Sequence, residues 1–488
     1  MLSFLLLNVV TFGSENLQPD KKYNILFIAV DDLRPELGCY GNTEIISPHI
    51  DRLADEAMLF NRAYCQTAIC MPSRVSLLSG VRPENFTPEG EFVTGPADKH
   101  LPGILTLPQL FRENGYQTVS IGKIYHHNND DEDGWTRRYT ETFTYDGANY
   151  GGYSSGYQKP ENKKLVGNYM NAWARPELMD SLRPPAVEMT DTPDSLHPDG
   201  FITEAGLKEL NNFRKSGEPF FLALGYYRPH LPFTPPKKYW DMYERNEISP
   251  ADNPYLPKNG IGYHDWNELR RYGDIPREGP VSEAKARELR HGYYASVSFI
   301  DAQVGRVMVE LERLGLSENT IVVLWGDHGW NLEEHGLWCK HSNYEVSTRT
   351  AMIIKVPELT SGRKTDALAG LIDIYPTLCA LTGISAPETV EGKNLLPLIT
   401  GEKDKVQDEV FSFYGNSYSM RTDRYRFTKY FKPQKLRNTV GVDKTGIYEL
   451  YDHQNDPDEN FNIAYEPENA NLVKALEKRM EQKGFYEF

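Results

Sequence analysis

The sequence predicts an α/β fold built on a large, mostly parallel sheet. Three observations point there. Bounded apolar runs of strand length recur along the chain, stretches of helical length lie between them, and each run ends in a cluster of polar residues. Strands of a parallel sheet are covered on both faces and read as continuous apolar runs. Loops at the carboxyl edge of such a sheet are where sites form.

"YNILFIAVDDLRPELGCYGN" supplies the first strand, Ile25 to Val30, with Asp31 and Asp32 after it. "SPHIDRLADEAMLF" and "TLPQLFRENG" read as helices, and "YQTVSIGK" as the next strand, ending at Lys123. "DGFITEAGLKELNNF" is a helix before the strand in "PFFLALGYYRPH", which ends near Arg228 and His230. "ASVSFIDAQVGRVMVELERLG" is a helix before "NTIVVLWGDHGW", which ends at Asp327 and His328. "GLIDIYPTLCALTGI" closes the main unit as a helix. Residues 137–197 and 237–280 are rich in Tyr, Pro, Gly and Asn and read as surface insertions that shape a pocket. After about Gly401, "EVFSFYGNSYSMRTDRYRFTKYF" alternates aromatic and polar residues, the pattern of antiparallel strands, and a charged helix near 469–483 follows. The expected organisation is a leader over 1–20, a main domain over 22–400 and a smaller C-terminal α+β subdomain over 401–488.

The formal charge of -16, from 53 basic and 69 acidic residues, argues against a nucleic-acid binder. It leaves an anionic substrate open, because Arg, Lys, His and a bound cation can reverse the field inside one cleft. The five cysteines are odd in number and lack metal-knuckle spacing, so no disulfide framework is expected, although a Cys65–Cys70 pair stays open. The apolar run from Leu2 to Val10 is too short to span a bilayer and fits the core of an export signal, with Thr11 and Gly13 as small residues near a cleavage point. A charged start is missing, and an apolar tail is the other reading. No later stretch reads as transmembrane, and the expected location is exported, periplasmic or secreted.

Asp31 and Asp32 end a buried strand, where adjacent carboxylates are costly without a cation. Asp327 and His328 end another, and oxygen-rich ligation with one imidazole suits Ca²⁺ or Mg²⁺ better than zinc. Taken singly, each pair also fits an ordinary turn. Cys70 lies in "CMPSR" just before an expected helix, whose start favours an anion or an activated nucleophile; a buried idle thiol is the plain alternative.

"CMPSR" matches the C-x-P-S-R signature of type I sulfatases. "VSLLSGVRP", "DDLRP", "SIGK" and "GDHG" match further blocks of that family in order, across essentially all of the chain after the leader. Within the family the chain resembles the iduronate-2-sulfatase branch, through "DDLRPELGCYGN", "SPHIDRLA", "QTAICMPSRVSLLSGVRP", "FFLALGYYRPHLPF", "YYASVSFIDAQVGR" and "DHGWNLEEHGLWCKHSN". The resemblance implies an alkaline-phosphatase-like sandwich and sulfuric ester hydrolysis. It implies that Cys70 is oxidised to formylglycine by a formylglycine-generating or anaerobic sulfatase-maturing enzyme. The hydrate would then act as nucleophile through a covalent sulfate ester.

By the same resemblance, Asp31, Asp32, Asp327 and His328, with the residue at Cys70, would hold one Ca²⁺. His328 departs from the commoner Asn but is shared by the iduronate-2-sulfatase branch. Arg74 and Lys123 would neutralise the sulfate and hold the hydrate. His126, with His127 beside it, would take the hydrate proton. His230 would protonate the leaving alcohol, and Lys340 would lie near the bridging oxygen or bind a substrate carboxylate or the sulfate. Arg228 would contact a uronate carboxylate or simply be exposed, and His335 and Trp338 are weaker substrate-contact candidates with packing as their other reading. The implied substrate is a sulfated, uronate-containing polysaccharide or its oligosaccharides, of the ulvan or glycosaminoglycan kind. A two-metal phosphatase, a phosphonate monoester hydrolase and a carbohydrate binder with a dead site are the rivals. The first needs a Ser or Thr nucleophile, the second lacks the segments after Phe220, and the third has no need of the full residue set.

Overall fold

In the computed structural model, the residues described are 22–86, 103–126, 130–139, 144–145, 148–149, 156–171, 182–262, 268–415, 417–431 and 447–484. The expected leader and His127 lie outside them. The main sheet uses β1 (Asn24–Val30), β2 (Met58–Tyr64), β3 (Gln117–Gly122), β4 (Arg137–Tyr139), β5 (Phe220–Tyr226), β6 (Thr320–Gly326), β7 (Arg349–Thr350), β8 (Met352–Lys355) and β9 (Arg363–Gly370). Across the sheet the order is β9, β2, then β7 and β8 as one broken strand, β6, β1, β5, β3 and β4. Only β7 and β8 run against the rest. The result is the mixed, mostly parallel sheet that the apolar runs predict.

β1, β5 and β6 are buried along their whole length, and each large apolar side chain so buried contributes about 2 kcal/mol. Helices α1 (Pro48–Ala54), α4 (Pro198–Ser216) and α5 (Glu283–Arg313) share one core with one face of the sheet. α2 (Cys70–Ser79), α3 (Leu107–Glu113) and α6 (Ile374–Thr382) pack in a second core on the other.

The strand register brings the ends of four strands level with one another. Val30 lies opposite both Tyr226 and Gly326, and Gly122 opposite Gly225. The residues after these positions therefore emerge side by side on one edge.

One expected helix is corrected. "SPHIDRLADEAMLF" is helical only as far as Ala54, and its apolar end, Met58 onward, is β2. That segment has partners on both sides, β9 in parallel and β7 with β8 antiparallel, which outweigh a helical continuation. The insertion expected from 137 also starts as an edge strand, β4, on β3. α5 begins at Glu283, earlier than expected, where the Ser282 hydroxyl accepts from Lys285 N–H.

After the short helix Leu396–Ile399 the chain forms a separate antiparallel meander, β10 (Glu409–Tyr414), β11 (Ser417–Thr422), β12 (Tyr425–Tyr430) and β13 (Ile447–Asp452). Helix α7 (Ala470–Gln482) buries Val473, Leu476 and Met480 in the core this sheet shares with it, a helical spacing of apolar residues. Among the described residues no helix is long and apolar enough to cross a membrane.

Candidate active site

Four strand ends and one helix start meet at the carboxyl edge. Asp31 and Asp32 follow β1, Lys123 follows β3, the 227–230 turn follows β5, and Asp327 and His328 follow β6. Cys70 is the first residue of α2 rather than the residue before it, with Ile69 as cap. Every residue of α2 is buried, and Ser73 donates to the Asp327 carbonyl at 2.5 Å, so the helix start is fixed against β6. Gly122 has φ 79°, and a Cβ there would lie 2.3 Å from the Gly225 carbonyl oxygen. Only glycine lets the chain turn there and point Lys123 at β1. Asp32 itself has φ 59°, a left-handed conformation that Asp tolerates at a cost of about 1 kcal/mol. It is held by Asp32 N–H donating to Asp327 Oδ1 at 2.9 Å and by Tyr293 donating to the Asp32 carbonyl at 2.8 Å.

The side chains form a closely knit charge cluster. Arg74 donates from Nε to Asp327 Oδ2 at 2.8 Å and from Nη2 to Asp31 Oδ1 at 2.9 Å. Its Nη1 serves the carbonyls of Lys123 and Ile124. The guanidinium is fully buried and each of its nitrogens is committed to the scaffold, so in this structure it steadies the carboxylates. Lys123 Nζ lies 2.6 Å from Asp31 Oδ2. His328 Nδ1 faces the Gly329 carbonyl at 2.8 Å and must carry the proton that this bond needs. Its Nε2 is thereby turned to Cys70 Sγ at 3.2 Å and Asp32 Oδ1 at 3.3 Å.

The other wall holds His230, Lys340 and Glu268. His230 Nδ1 faces the Leu231 carbonyl at 2.5 Å, and its Nε2 lies 2.8 Å from Glu268 Oε1 and 3.6 Å from Asp32 Oδ2. Lys340 Nζ lies 2.8 Å from the same Glu268 oxygen and 3.2 Å from Asp32 Oδ1. Trp330 backs both, with Lys340 Nζ 4.9 Å from its ring centre. Burial and then Lys340 push the His230 imidazole down to about 4, while Glu268 pulls it up. Leu231 and Glu268 thus face the two opposite nitrogens of the ring. Burial disfavours the Glu268 charge, yet Lys340 and His230 outweigh it and hold the carboxyl well below its usual range.

His126 is half-buried directly after the Lys123 turn. Arg228 is 1 % exposed and braces the His230 loop, donating from Nη1 to the His230 carbonyl at 3.2 Å and from Nε to Thr234 Oγ1 at 3.0 Å. His335 is buried with its ring 4.6 Å from that of Tyr344, and Trp338 is a core residue in a small hairpin with Leu332. All five cysteines are buried free thiols. Glu268 was not among the sequence candidates. Its one signal is an acid beside aromatic and basic neighbours in the 237–280 insertion.

The donor set fits a hard divalent cation. Atoms of Asp32, Cys70, Asp327 and His328 lie within 4.8 Å of one another, and a second such group joins Asp31, Asp32, Cys70 and His230. Burial pushes the Asp32 carboxyl well above its usual range, with Lys340 pulling it down and Cys70 and Asp31 raising it further. Three buried carboxylates and an imidazole converging this closely suit a cation with oxygen preference.

Residues 23–384 match the sulfatase family model, and 333–484 match the N-sulphoglucosamine sulphohydrolase C-terminal model. Iduronate 2-sulfatase of Homo sapiens is 32% identical over 530 residues, covering 93% of this chain and 93% of that protein. Iduronate 2-sulfatase of Mus musculus is 36% identical over 397 residues, covering 75% of this chain and 69% of that protein. A solved structure in complex with its substrate D-glucosamine-2-N,6-O-disulfate shares the fold, with a TM-score of 0.72 at 22% identity, covering 95% of this chain and 97% of the other. The sheet edge and its cluster thus define a sulfuric ester hydrolase on the alkaline-phosphatase-like frame. The chain belongs to the sulfatase family, in its type I, iduronate-2-sulfatase-like branch.

Proposed function

We propose that the protein is an exported, formylglycine-dependent sulfatase acting on a sulfated, uronate-containing polysaccharide or its oligosaccharides, of the glycosaminoglycan or ulvan kind. The observation that carries this is the position of Cys70, in the "CMPSR" signature at the buried start of α2, against His328 and Asp32. Burial, then Asp31, push its thiol up to about 12. Such a thiol stays protonated near neutral pH and is a poor nucleophile. The thiol itself is thus a poor candidate for the nucleophile, and the "CMPSR" signature supports conversion of Cys70 by a formylglycine-generating or anaerobic sulfatase-maturing enzyme. Once hydrated, formylglycine offers one hydroxyl to displace the alcohol from sulfur and a second to expel sulfate.

Asp31, Asp32, Asp327 and His328 would hold one Ca²⁺, which supplies positive charge for the sulfate oxygens. His328 offers Nε2 because Gly329 holds the proton on Nδ1. Lys123 and Arg74 balance Asp31 and Asp327. His126 is the proposed acceptor of the hydrate proton, and His230 with Lys340 the donors on the alcohol side. The likeness to iduronate 2-sulfatases supports a sulfate placed near a uronate.

The test is mass spectrometry of the Cys70 peptide from protein co-produced with a maturation enzyme, together with rates on 4-nitrophenyl sulfate and 4-nitrophenyl phosphate. Formylglycine at position 70, with sulfate hydrolysis well above phosphate hydrolysis, is the expected result. Full activity with an intact thiol, or faster phosphate turnover, sinks the reading. Desulfation of defined glycosaminoglycan and ulvan oligosaccharides then selects the sugar.

A further inference from the structure

We propose that Glu268 is the positioning residue that sets His230 and Lys340 on the alcohol side of the reaction. The inference rests on the sulfatase reading above and adds a residue to it. Glu268 is carried by an insertion, outside every strand end that builds the cluster. One of its oxygens, Oε1, takes both His230 Nε2 and Lys340 Nζ at 2.8 Å. Asp32 competes for both donors from the other side, at 3.6 Å from His230 Nε2 and 3.2 Å from Lys340 Nζ. Glu268 is therefore the anion that draws the two donors toward each other and away from the carboxylate that faces Cys70.

Ring orientation makes the argument specific. The backbone of His230 is fixed by His230 N–H donating to Tyr227 carbonyl at 3.0 Å and by Arg228 donating to its own carbonyl. Leu231 takes the Nδ1 side of the ring. Nε2 is then the ring nitrogen left for the reacting side, and Glu268 holds it in place at 2.8 Å. In the step concerned, a hydroxyl oxygen of the hydrate at position 70 would bond to sulfur and give its proton to His126, the sulfur–oxygen bond to the alcohol would break with its electron pair staying on the alcohol oxygen, and a proton would reach that oxygen through His230 Nε2. Lys340 Nζ, held by the same carboxylate, faces the same developing charge. Glu268 touches neither sulfur nor alcohol in this step; it acts through the two donors. The opposing view is that Glu268 only neutralises two buried cations.

Leaving-group dependence separates the two views, because an acid matters in proportion to the basicity of the group it protonates. The probes are phenyl sulfate, whose alcohol is a poor leaving group, and 4-nitrophenyl sulfate, whose alcohol needs little help. Glu268→Gln should lower kcat on phenyl sulfate by about 100-fold and on 4-nitrophenyl sulfate by less than about 5-fold. Glu268→Asp should recover part of the phenyl sulfate rate, and Glu268→Gln placed on His230→Gln should add little further loss. An equal loss on both esters, or no loss on either, overturns the proposal while the sulfatase reading stands. A wild-type enzyme inert toward both esters overturns the sulfatase reading and this inference with it.

Discussion

His197 shows how a single residue near the site links protonation to folding. It sits at the start of α4 with Nε2 2.9 Å from Thr192 Oγ1 and its ring edge-on to Phe299. Burial, then Arg228, push its imidazole down from 6.5 to about 4. The N-terminal end of a helix also disfavours a cation. An unfolded chain therefore takes up the proton first as pH falls. The His197 contribution to stability is intact above about 6.5 and is lost as pH falls toward 4. Asp199 and Asp301, which burial pushes up to about 6 and about 7, run the other way, since their buried neutral forms are favoured and stability is lost as pH rises through those values. Both are present in a His197→Gln variant, so the difference between variant and wild type isolates the histidine. Urea unfolding at neutral and at mildly acidic pH should show wild type losing stability relative to His197→Gln as pH falls. Parallel curves would refute the assignment.

At the scale of elements, α2 is the pivot, because one side chain from its second turn ties three strand ends together. Arg74 joins Asp31 after β1, the carbonyls of Lys123 and Ile124 after β3, and Asp327 after β6. Removing one partner of a buried pair leaves charge uncompensated, at a cost of about 3–5 kcal/mol. Arg74→Ala should lose about that much in urea unfolding with a chelator present, whereas a loss below about 1 kcal/mol would show that the carboxylates do not depend on it. The parts of this pivot were legible as local patterns, in the apolar runs ending at Val30, Gly122, Tyr226 and Gly326 and in the block from Cys70 to Arg74, but the tie that Arg74 makes between strand ends was not, since it lies in long-range contacts. β2 was hidden because Met58–Leu59–Phe60 follow a helix with no Gly or Pro between, and only its pairing partners decide its state. β9 was hidden because its first half, Arg363 to Asp366, is polar and partly exposed. Glu268 was illegible because its meaning lies in two contacts with residues 38 and 72 positions away, and no motif marks it.

The whole molecule extends this dependence to the C-terminal sheet, which meets three of the segments that build the site. Phe413 N–H donates to the Gln66 carbonyl and Ser412 to the Cys65 carbonyl, both just before Cys70. Arg426, itself buried, bridges Glu459 and Glu345, the latter in the segment after Lys340. Glu449 on β13 is the most connected joint: Oε1 accepts from Ile261 and Gly262 N–H at 2.6 and 3.1 Å and from Tyr344 and Tyr451 hydroxyls at 3.0 Å each, and Oε2 accepts from Tyr430 at 2.5 Å. The 261–262 segment belongs to the insertion that carries Glu268, and Tyr344 follows Lys340 by four residues. Glu449 thus fixes from behind the two chain segments whose side chains meet at 2.8 Å in the site. In Glu449→Gln one acceptor oxygen becomes a donor amide that faces other donors, so the segments shift rather than unfold. Misplacement on the scale of 1 Å costs about 100-fold in rate at its most severe. The variant should keep the circular dichroism of the wild type and lose about 10-fold in kcat/KM on 4-nitrophenyl sulfate. A lowered Tm with unchanged kcat/KM would instead mean that the C-terminal sheet supports the fold without setting the site.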